Sequence, residues 1–186
     1  MITTDVSTKT KWLIDTTHSE IGFKVKHLMI ANVRGTFKEY EASIYTNGDD
    51  FMSAVIDFWA NPVSIETGDA KRDAHLTGVD FFDTENHKEI KFTANTLMNV
   101  DNDGSFEMYG DLTIKGLTKR IILKVEFGGT MKDPLGNTKA AFSITGKINR
   151  KNWGLNWNAS LETGGILLSD EVWLTCDVQL IKQIAI

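Results

Sequence analysis
The stretch Glu20-Ile-Gly-Phe-Lys-Val-Lys-His27 alternates without a break: Ile21, Phe23, Val25 and His27 fall on one side, Gly22, Lys24 and Lys26 on the other. Successive side chains of a strand point to opposite faces, so this run has one dry face and one wet face. A chain built almost wholly of such runs must close or stack its dry faces into one interior. Whether that interior holds packed side chains or a long apolar guest is the functional question.

Working outward, the same period returns. A short opening strand spans Trp12 to Asp15, and long ones follow at Glu20 to Leu28 and Val33 to Tyr45. The phase slips inside the latter: Val33, Gly35 and Phe37 are odd, while Tyr40, Ala42 and Ile44 are even. Such a slip marks a bulge or sharp bend, which barrels place at their corners. Beyond the turn at Asn47 to Asp50, the residues Met52, Ala54, Ile56 and Phe58 share a face, up to Asn61-Pro62. Residues 64–89 break the pattern. Thr67, a candidate N-cap followed by acidic residues, predicts a short helix over 67–76 that Gly78 ends, then an apolar, lid-like stretch from Val79 to Asp83.

Strands resume at Ile90 to Met98 and Phe106 to Ile114, across a hairpin turn at Asp101 to Gly104. Ile121 to Phe127, Ala140 to Ile148 and Val172 to Leu180 complete the set, with an irregular insertion over 150–165 carrying Trp153 and Trp157. Eight long strands in meander order predict an all-β fold, an eight-stranded antiparallel barrel that removes its own edges. A two-sheet sandwich is the structural rival. A barrel of that size either fills itself or holds one small ligand.

With 186 residues, 41% hydrophobic and 24% charged, the chain suits a single domain, which we assign to residues 12–182 after an N-terminal extension over 1–11. The net charge of -5 is scattered and offers no basic stripe, which argues against a nucleic-acid partner. No run nears the ~18 apolar residues of a spanning helix. The first residues lack the apolar core of a secretory leader, from which we expect a cytoplasmic protein, or a periplasmic one if a leader has been removed, and set aside an outer-membrane barrel. The single cysteine, Cys176, lies on the apolar side of its run and reads as a buried, inert thiol.

Little in the chain asks for catalysis. The histidines 18, 27, 75 and 87 show no paired metal-ligand spacing, and hydrogen-bonded structural roles are favoured over ligation. The segment Asp101-Asn-Asp-Gly104 lacks the closing Glu of a calcium loop. The carboxylate pairs Asp69/Asp73 and Asp80/Asp83 read as helix-end groups. Neither catalytic residues, nor a metal, nor a cofactor is expected. The stronger lead is aromatic: Phe23, Phe37, Phe58, Phe92, Phe106, Phe127 and Phe142 are all in phase with inward aliphatic neighbours. Each alone reads as packed core. Together with a separate helical insertion they suggest a lumen with a cover. A buried hydrocarbon chain would gain about 0.8 kcal/mol per carbon unit.

The motifs then fall into an order that resembles one family. Asp15-x-x-His18-Ser19-x-Ile21-x-Phe23-x-Val25-x-His27-Leu28 and Val33-x-Gly35-x-Phe37 lead, followed by Ser64-Ile65-x-Thr67-Gly68, Arg72-Asp73-x-His75-Leu76 and Asp80-Phe81-Phe82-Asp83. His87-x-x-Ile90-x-Phe92, Gly110-x-Leu112-Thr113-Ile114-x-Gly116-x-Thr118 and Arg150-x-x-Trp153-Gly154-Leu155 continue the series. From Trp12 to Leu180 the chain resembles the YceI-like polyisoprenoid-binding family. The resemblance implies a lipocalin-like barrel with a helix at one end, an elongated apolar tunnel for an isoprenoid or other long lipid tail, and frequent homodimers.

The expected function is therefore non-enzymatic binding of a long-chain isoprenoid or fatty lipid, such as a prenyl phosphate or isoprenoid quinone. Ile21, Phe23, Val25, Phe37, Ile56, Phe58, Phe92, Leu123, Phe142 and Ile144 are expected to line the tunnel. His18, His27, Arg72, His75 and Arg150 are candidates for a polar mouth, where a cation could hold a phosphate, or else bonds that pin the helix. A solid-core interaction protein and a lipid-modifying enzyme with a histidine base are the alternatives. Trp59 and Trp173, on nominally wet faces, could mark a dimer interface.

Overall fold
The alternating stretch forms a strand where its period demands one, β2 (Glu20–His27), and its dry face turns into a closed barrel. The computed structural model describes residues 8–99 and 104–184. In chain order the other strands are β1 (Lys9–Ile14), β3 (Ala31–Phe37), β4 (Tyr40–Asn47), β5 (Asp50–Ala60), β6 (Ile65–Glu66), β7 (Ile90–Asn99), β8 (Ser105–Ile114), β9 (Leu117–Lys132), β10 (Thr138–Asn149) and β11 (Leu168–Lys182). The helix α1 (Ala70–Thr77) and two 3-10 turns, Pro62–Ser64 and Arg150–Trp153, complete the described elements.

All pairings are antiparallel, and the ring β1-β4-β5-β7-β8-β9-β10-β11 closes where Trp12 faces Lys182 and Ile14 faces Leu180. A sandwich would leave this seam open. β11 is long enough to pair with β1 at its end and with β2 along its first half, where Phe23 faces Leu174 and Ile21 faces Cys176. β1 and β2 are thus two halves of one interrupted strand, and β3 and β4 another, broken at Lys38-Glu39. That break is the phase slip legible in the sequence.

Two buried tryptophans fix the ends of the wall. The Trp12 indole donates to Thr46 Oγ1 at 3.0 Å, and the Trp153 indole donates to the Leu112 carbonyl at 3.0 Å. Where β1 gives way to β2, Asp15 accepts from Thr17 and Lys139, with His18 Nδ1 at 2.9 Å. Burial alone would raise the Asp15 carboxyl, but Lys139, then Thr17 and His18, outweigh it and hold the group well below the usual carboxylate range.

Several expectations are corrected. The helix is capped by Asp69, whose Oδ1 accepts from the Lys71 and Arg72 amides, and it begins at Ala70. Thr67 precedes Gly68, which holds a φ of 82° that a continuing helix would not allow, and its hydroxyl donates to Asp73 instead. β1 starts at Lys9, three residues before the expected Trp12, and pairs with β4 from there. β9 and β10 run on past Phe127 to the 133–137 loop, and the register shifts between Ala141 and Phe142. Phe127 pairs with Phe142 just before that shift and keeps its phase, but at the barrel's end it is 44% exposed and lies outside the cavity lining. Residues 101–103 of the expected hairpin turn lie outside the described residues.

Candidate functional site
The inward residues of β11 carry the decisive signal. Val172, Leu174, Cys176 and Val178 all face the interior, yet none is fully buried. A packed core would leave such residues no free surface. Their free surface is the wall of a cavity of about 580 Å³ running through the barrel. From Leu168 to Leu180 the strand rises ~40 Å, or on the order of 30 Å along the axis at a usual barrel tilt. Dividing the volume by that length gives a bore of roughly 20 Å², room for one hydrocarbon chain with neighbours at ordinary contact distance.

The bore is kept open by three glycines. An added Cβ on Gly110 would meet the Phe92 ring at 2.3 Å, one on Gly35 the Phe23 ring at 2.4 Å, and one on Gly146 the Leu123 side chain at 2.3 Å. Each large side chain lies flat over a bare stretch of wall and leaves the axis free. The Phe-filled centre of a solid-core protein is therefore not what this sequence builds. At the end away from α1, Phe51 packs between Trp12 (4.9 Å between centroids) and Phe142 (4.9 Å), and Phe127 stacks on Phe142 at 5.1 Å.

The ionisable groups of the lining gather at the α1 end, apart from Cys176 on the wall: His27, Lys71, Arg72, His75 and Arg150, with the Thr67 hydroxyl. Arg72 donates from Nε to Thr67 Oγ1 (2.7 Å) and from Nη2 to the Thr67 carbonyl (2.9 Å). His75 Nε2 lies 2.9 Å from Asp80 Oδ2, its ring edge-on to Phe81 and Trp157. Phe82 reaches Phe37 edge-on at 6.0 Å, so the stretch after α1 covers this end, as its apolar sequence implies. Arg150 is buried and spends its guanidinium on the carbonyls of Ser169, Leu155 and Trp157, pinning the 155–169 loop. Burial draws that guanidinium below its ordinary value, opposed by Asp170. Its Nη2 makes no hydrogen bond among the described residues and sits 4.0 Å from Asp170 Oδ1. On the wall, burial pushes the Cys176 thiol up to about 11.

A family model described as the YceI-like domain matches residues 12–180. The chain belongs to the YceI-like family. It is 39% identical over 164 residues to a UPF0312 protein of Staphylococcus epidermidis, covering 88% of this chain and 92% of that one. Among solved YceI-like structures, a Campylobacter jejuni YCEI protein shares 35% identity and a TM-score of 0.72, over 91% of this chain and 96% of the other. A polyisoprenoid binding domain from Saccharophagus degradans shares the fold at 14% identity, with a TM-score of 0.64 over 92% and 98% of the two chains.

In this YceI-like barrel all ten expected tunnel residues, Ile21, Phe23, Val25, Phe37, Ile56, Phe58, Phe92, Leu123, Phe142 and Ile144, line one cavity together with His27, Arg72 and His75. His18 does not. It is bonded to Asp15 and Thr17 and borders a separate shallow pocket beside Gly128 and Asp177, because the chain break between β1 and β2 turns it outward. Sequence reasoning missed Lys71, Thr67 and Trp157 in the lining, and missed the three wall glycines. Gly35, Gly110 and Gly146 could have been found as glycines in phase with inward residues inside strands, where glycine ordinarily weakens the ladder.

Proposed function
We propose that the lumen binds one long apolar chain, a polyisoprenoid such as a prenyl phosphate or isoprenoid quinone, and that the protein carries this chain without transforming it. The observation that supports this most directly is the bore itself: single-chain width, length on the order of 30 Å from strand rise and tilt, and walls almost wholly apolar. At about 24 cal/mol per Å³, a cavity of 580 Å³ left unfilled would forfeit about 14 kcal/mol, as much as the whole net stability of an ordinary domain. A sequence that encodes such a space encodes something to fill it.

The polar end adds the second part of the reading. Lys71, Arg72, His27 and His75 surround the lining next to α1, and Arg72 keeps Nη1 after its two bonds to Thr67. A phosphate or a polarised carbonyl on the end of the chain would meet charged donors there, while the tail extended toward the Phe51–Phe142 cluster. That a structural neighbour is named as a polyisoprenoid binding domain supports the isoprenoid over a straight acyl chain. Native mass spectrometry and lipid extraction of the purified protein test the proposal, with uptake of a prenyl alcohol as the second arm. Recovery of a prenyl lipid in one-to-one ratio is expected. Neither co-purified lipid nor uptake would overturn it.

A further inference from the structure
The hairpin between β2 and β3 ends in the loop Leu28-Met29-Ile30, and these three apolar side chains are 40%, 55% and 88% exposed. Leu28 and Met29 both hold left-handed backbone, with φ of 53° and 62°. Asn or Gly adopts that conformation at little cost, whereas Leu and Met are strained in it. Elsewhere among the described residues positive φ falls on nine glycines and on two polar residues, Asp83 and Lys115, so this tip is where large apolar side chains take it. Strain retained at an exposed apolar tip points to a role for those side chains.

The charge around the tip is equally unlike the rest. Residues 21–38 carry Lys24, Lys26, Arg34 and Lys38 and no acid, a local +4 on a chain whose net charge is -5. Lys24 and Arg34 face one another across the hairpin, on its outer side, and neither they nor Lys26 have an acidic partner within ion-pair reach among the described residues. At strand rise, Lys26 sits about 7 Å and Lys24 and Arg34 about 13 Å behind the loop. Trp173 lies opposite Lys24, with that ammonium 5.4 Å from its ring centroid. An apolar tip backed by cations and an interfacial tryptophan matches the layers of a bilayer surface with anionic headgroups.

The tip also stands at the mouth. His27 and Val33, at its base, line the tunnel, and the Leu28 amide donates to the Leu167 carbonyl beside the lining residue Leu168. We infer that the Leu28-Met29-Ile30 loop inserts into the outer layer of an anionic lipid bilayer, with Lys24, Lys26 and Arg34 on its phosphates, and thereby presents the α1 end of the tunnel to the membrane. The docking stands on the tip and its cations; only the passage of a lipid through the docked mouth rests on the chain-binding reading above.

Flotation of the full chain with vesicles tests this, using phosphatidylcholine alone against an equal mixture with phosphatidylglycerol. The wild type is expected to float with the mixed vesicles and to lose that binding as salt rises. Ile30→Asp is expected to weaken it by about tenfold or more, and Lys26→Glu combined with Arg34→Glu to abolish the preference for the anionic mixture. Leu135→Asp, equally exposed at 87% but on the β9–β10 loop at the opposite end, is expected to change nothing. Circular dichroism confirms that each variant is folded. Absence of wild-type binding to the mixed vesicles, or Ile30→Asp and Leu135→Asp behaving alike, would overturn the inference. So would sedimentation showing that Ile30→Asp splits a dimer while vesicle binding persists, since the tip would then be a contact between copies. Uptake of a prenyl alcohol from detergent micelles, measured in parallel, separates the two proposals: vesicle binding without uptake removes the carrier and leaves the docking, and uptake without vesicle binding does the reverse.

Discussion

Gly110→Ala should narrow the tunnel at one level and make the protein select shorter chains. The new Cβ would stand 2.3 and 2.4 Å from two atoms of the Phe92 ring and 2.8 Å from the Thr93 carbonyl oxygen. Carbon atoms rest at about 3.5–4.0 Å, so the ring must retreat by more than ~1 Å. Wall lies behind it, and the open direction is the bore. Overpacking of this kind costs about 1–3 kcal/mol, partly offset by about 0.5–1 kcal/mol from replacing a strand glycine. The net loss of about 1–2 kcal/mol lowers Tm by roughly 2–8 °C at this chain length. A bore of roughly 20 Å² has no ångström to spare at chain contact distances, so carbons past the constriction lose their place. Each excluded unit forfeits about 0.8 kcal/mol, and a five-carbon unit up to about 4 kcal/mol, near a thousandfold in affinity. The assay is displacement of a fluorescent probe by a ladder of prenyl alcohols, with thermal melts alongside. A destabilised variant whose preference across the ladder matches wild type would refute the reasoning, because Phe92 would then have yielded somewhere other than into the lumen.

Further outcomes follow from the same geometry. Asp15→Asn removes the acceptor 2.8 Å from Lys139 and should cost about 1.5–3 kcal/mol at neutral pH. Because the native carboxyl is held low, its contribution is present above the unfolded range near pH 4 and fades as pH falls below it, so wild type and variant should converge in denaturant titrations near pH 2; a constant gap would contradict the assignment. With its thiol at about 11, Cys176 should react with iodoacetamide roughly a hundredfold more slowly than a free thiol, and slower still with the lumen filled, as read by mass spectrometry. Arg150→Met orphans three carbonyls and should destabilise by about 3–5 kcal/mol, with Trp157 fluorescence shifting red as its loop loosens. Leu28→Asn with Met29→Gly should raise stability by about 1–2 kcal/mol through relief of left-handed strain while weakening vesicle binding; a gain in neither Tm nor denaturation midpoint would mean the tip carries no strain.

How far the sequence revealed this protein depended on how local each signal was. Strand faces are written at period two, so β2, β4, β7 and β8 could be read directly, and even the split of β3 from β4 showed as a slip of one residue. The tunnel wall followed, since in a closed barrel every inward residue faces the same lumen. What failed depended on partners far along the chain. Phe127 keeps the inward phase and pairs with Phe142, but β9 leaves the closed part of the barrel just beyond it, at the Ala141/Phe142 shift, so the ring is half exposed at the end of the wall. His18 sits beside inward residues in sequence, and its orientation is decided by Lys139 and Gln179 on other strands, which hold Asp15 and the turn behind it. Gly78 ends α1 as the sequence implies, but the N-cap lies beyond Gly68, a boundary that capping chemistry alone leaves ambiguous between Thr67 and Asp69.

Whether the barrel is hollow was beyond the reach of periodicity, since packed and open barrels share one alternating pattern. The difference lies in volumes: inward glycines paired with large neighbours leave room, whereas inward alanines would have pushed those neighbours to the axis. Such a wall is stable only because the missing packing is spread along a tube too narrow to collapse without breaking strand pairing, which holds by its own hydrogen bonds. The same economy explains why the polar groups crowd one end. A cation midway along the tube would face only apolar walls and be costly, whereas at the α1 end Arg72 places two donors on Thr67 and Arg150 three on loop carbonyls. The charged end is therefore where a polar head is tolerated, and the tail must run from there toward the aromatic cluster of Phe51 and Phe142. A chain that entered from a bilayer tail-first through this end would carry its head in last, leaving it beside Lys71 and Arg72 at the mouth.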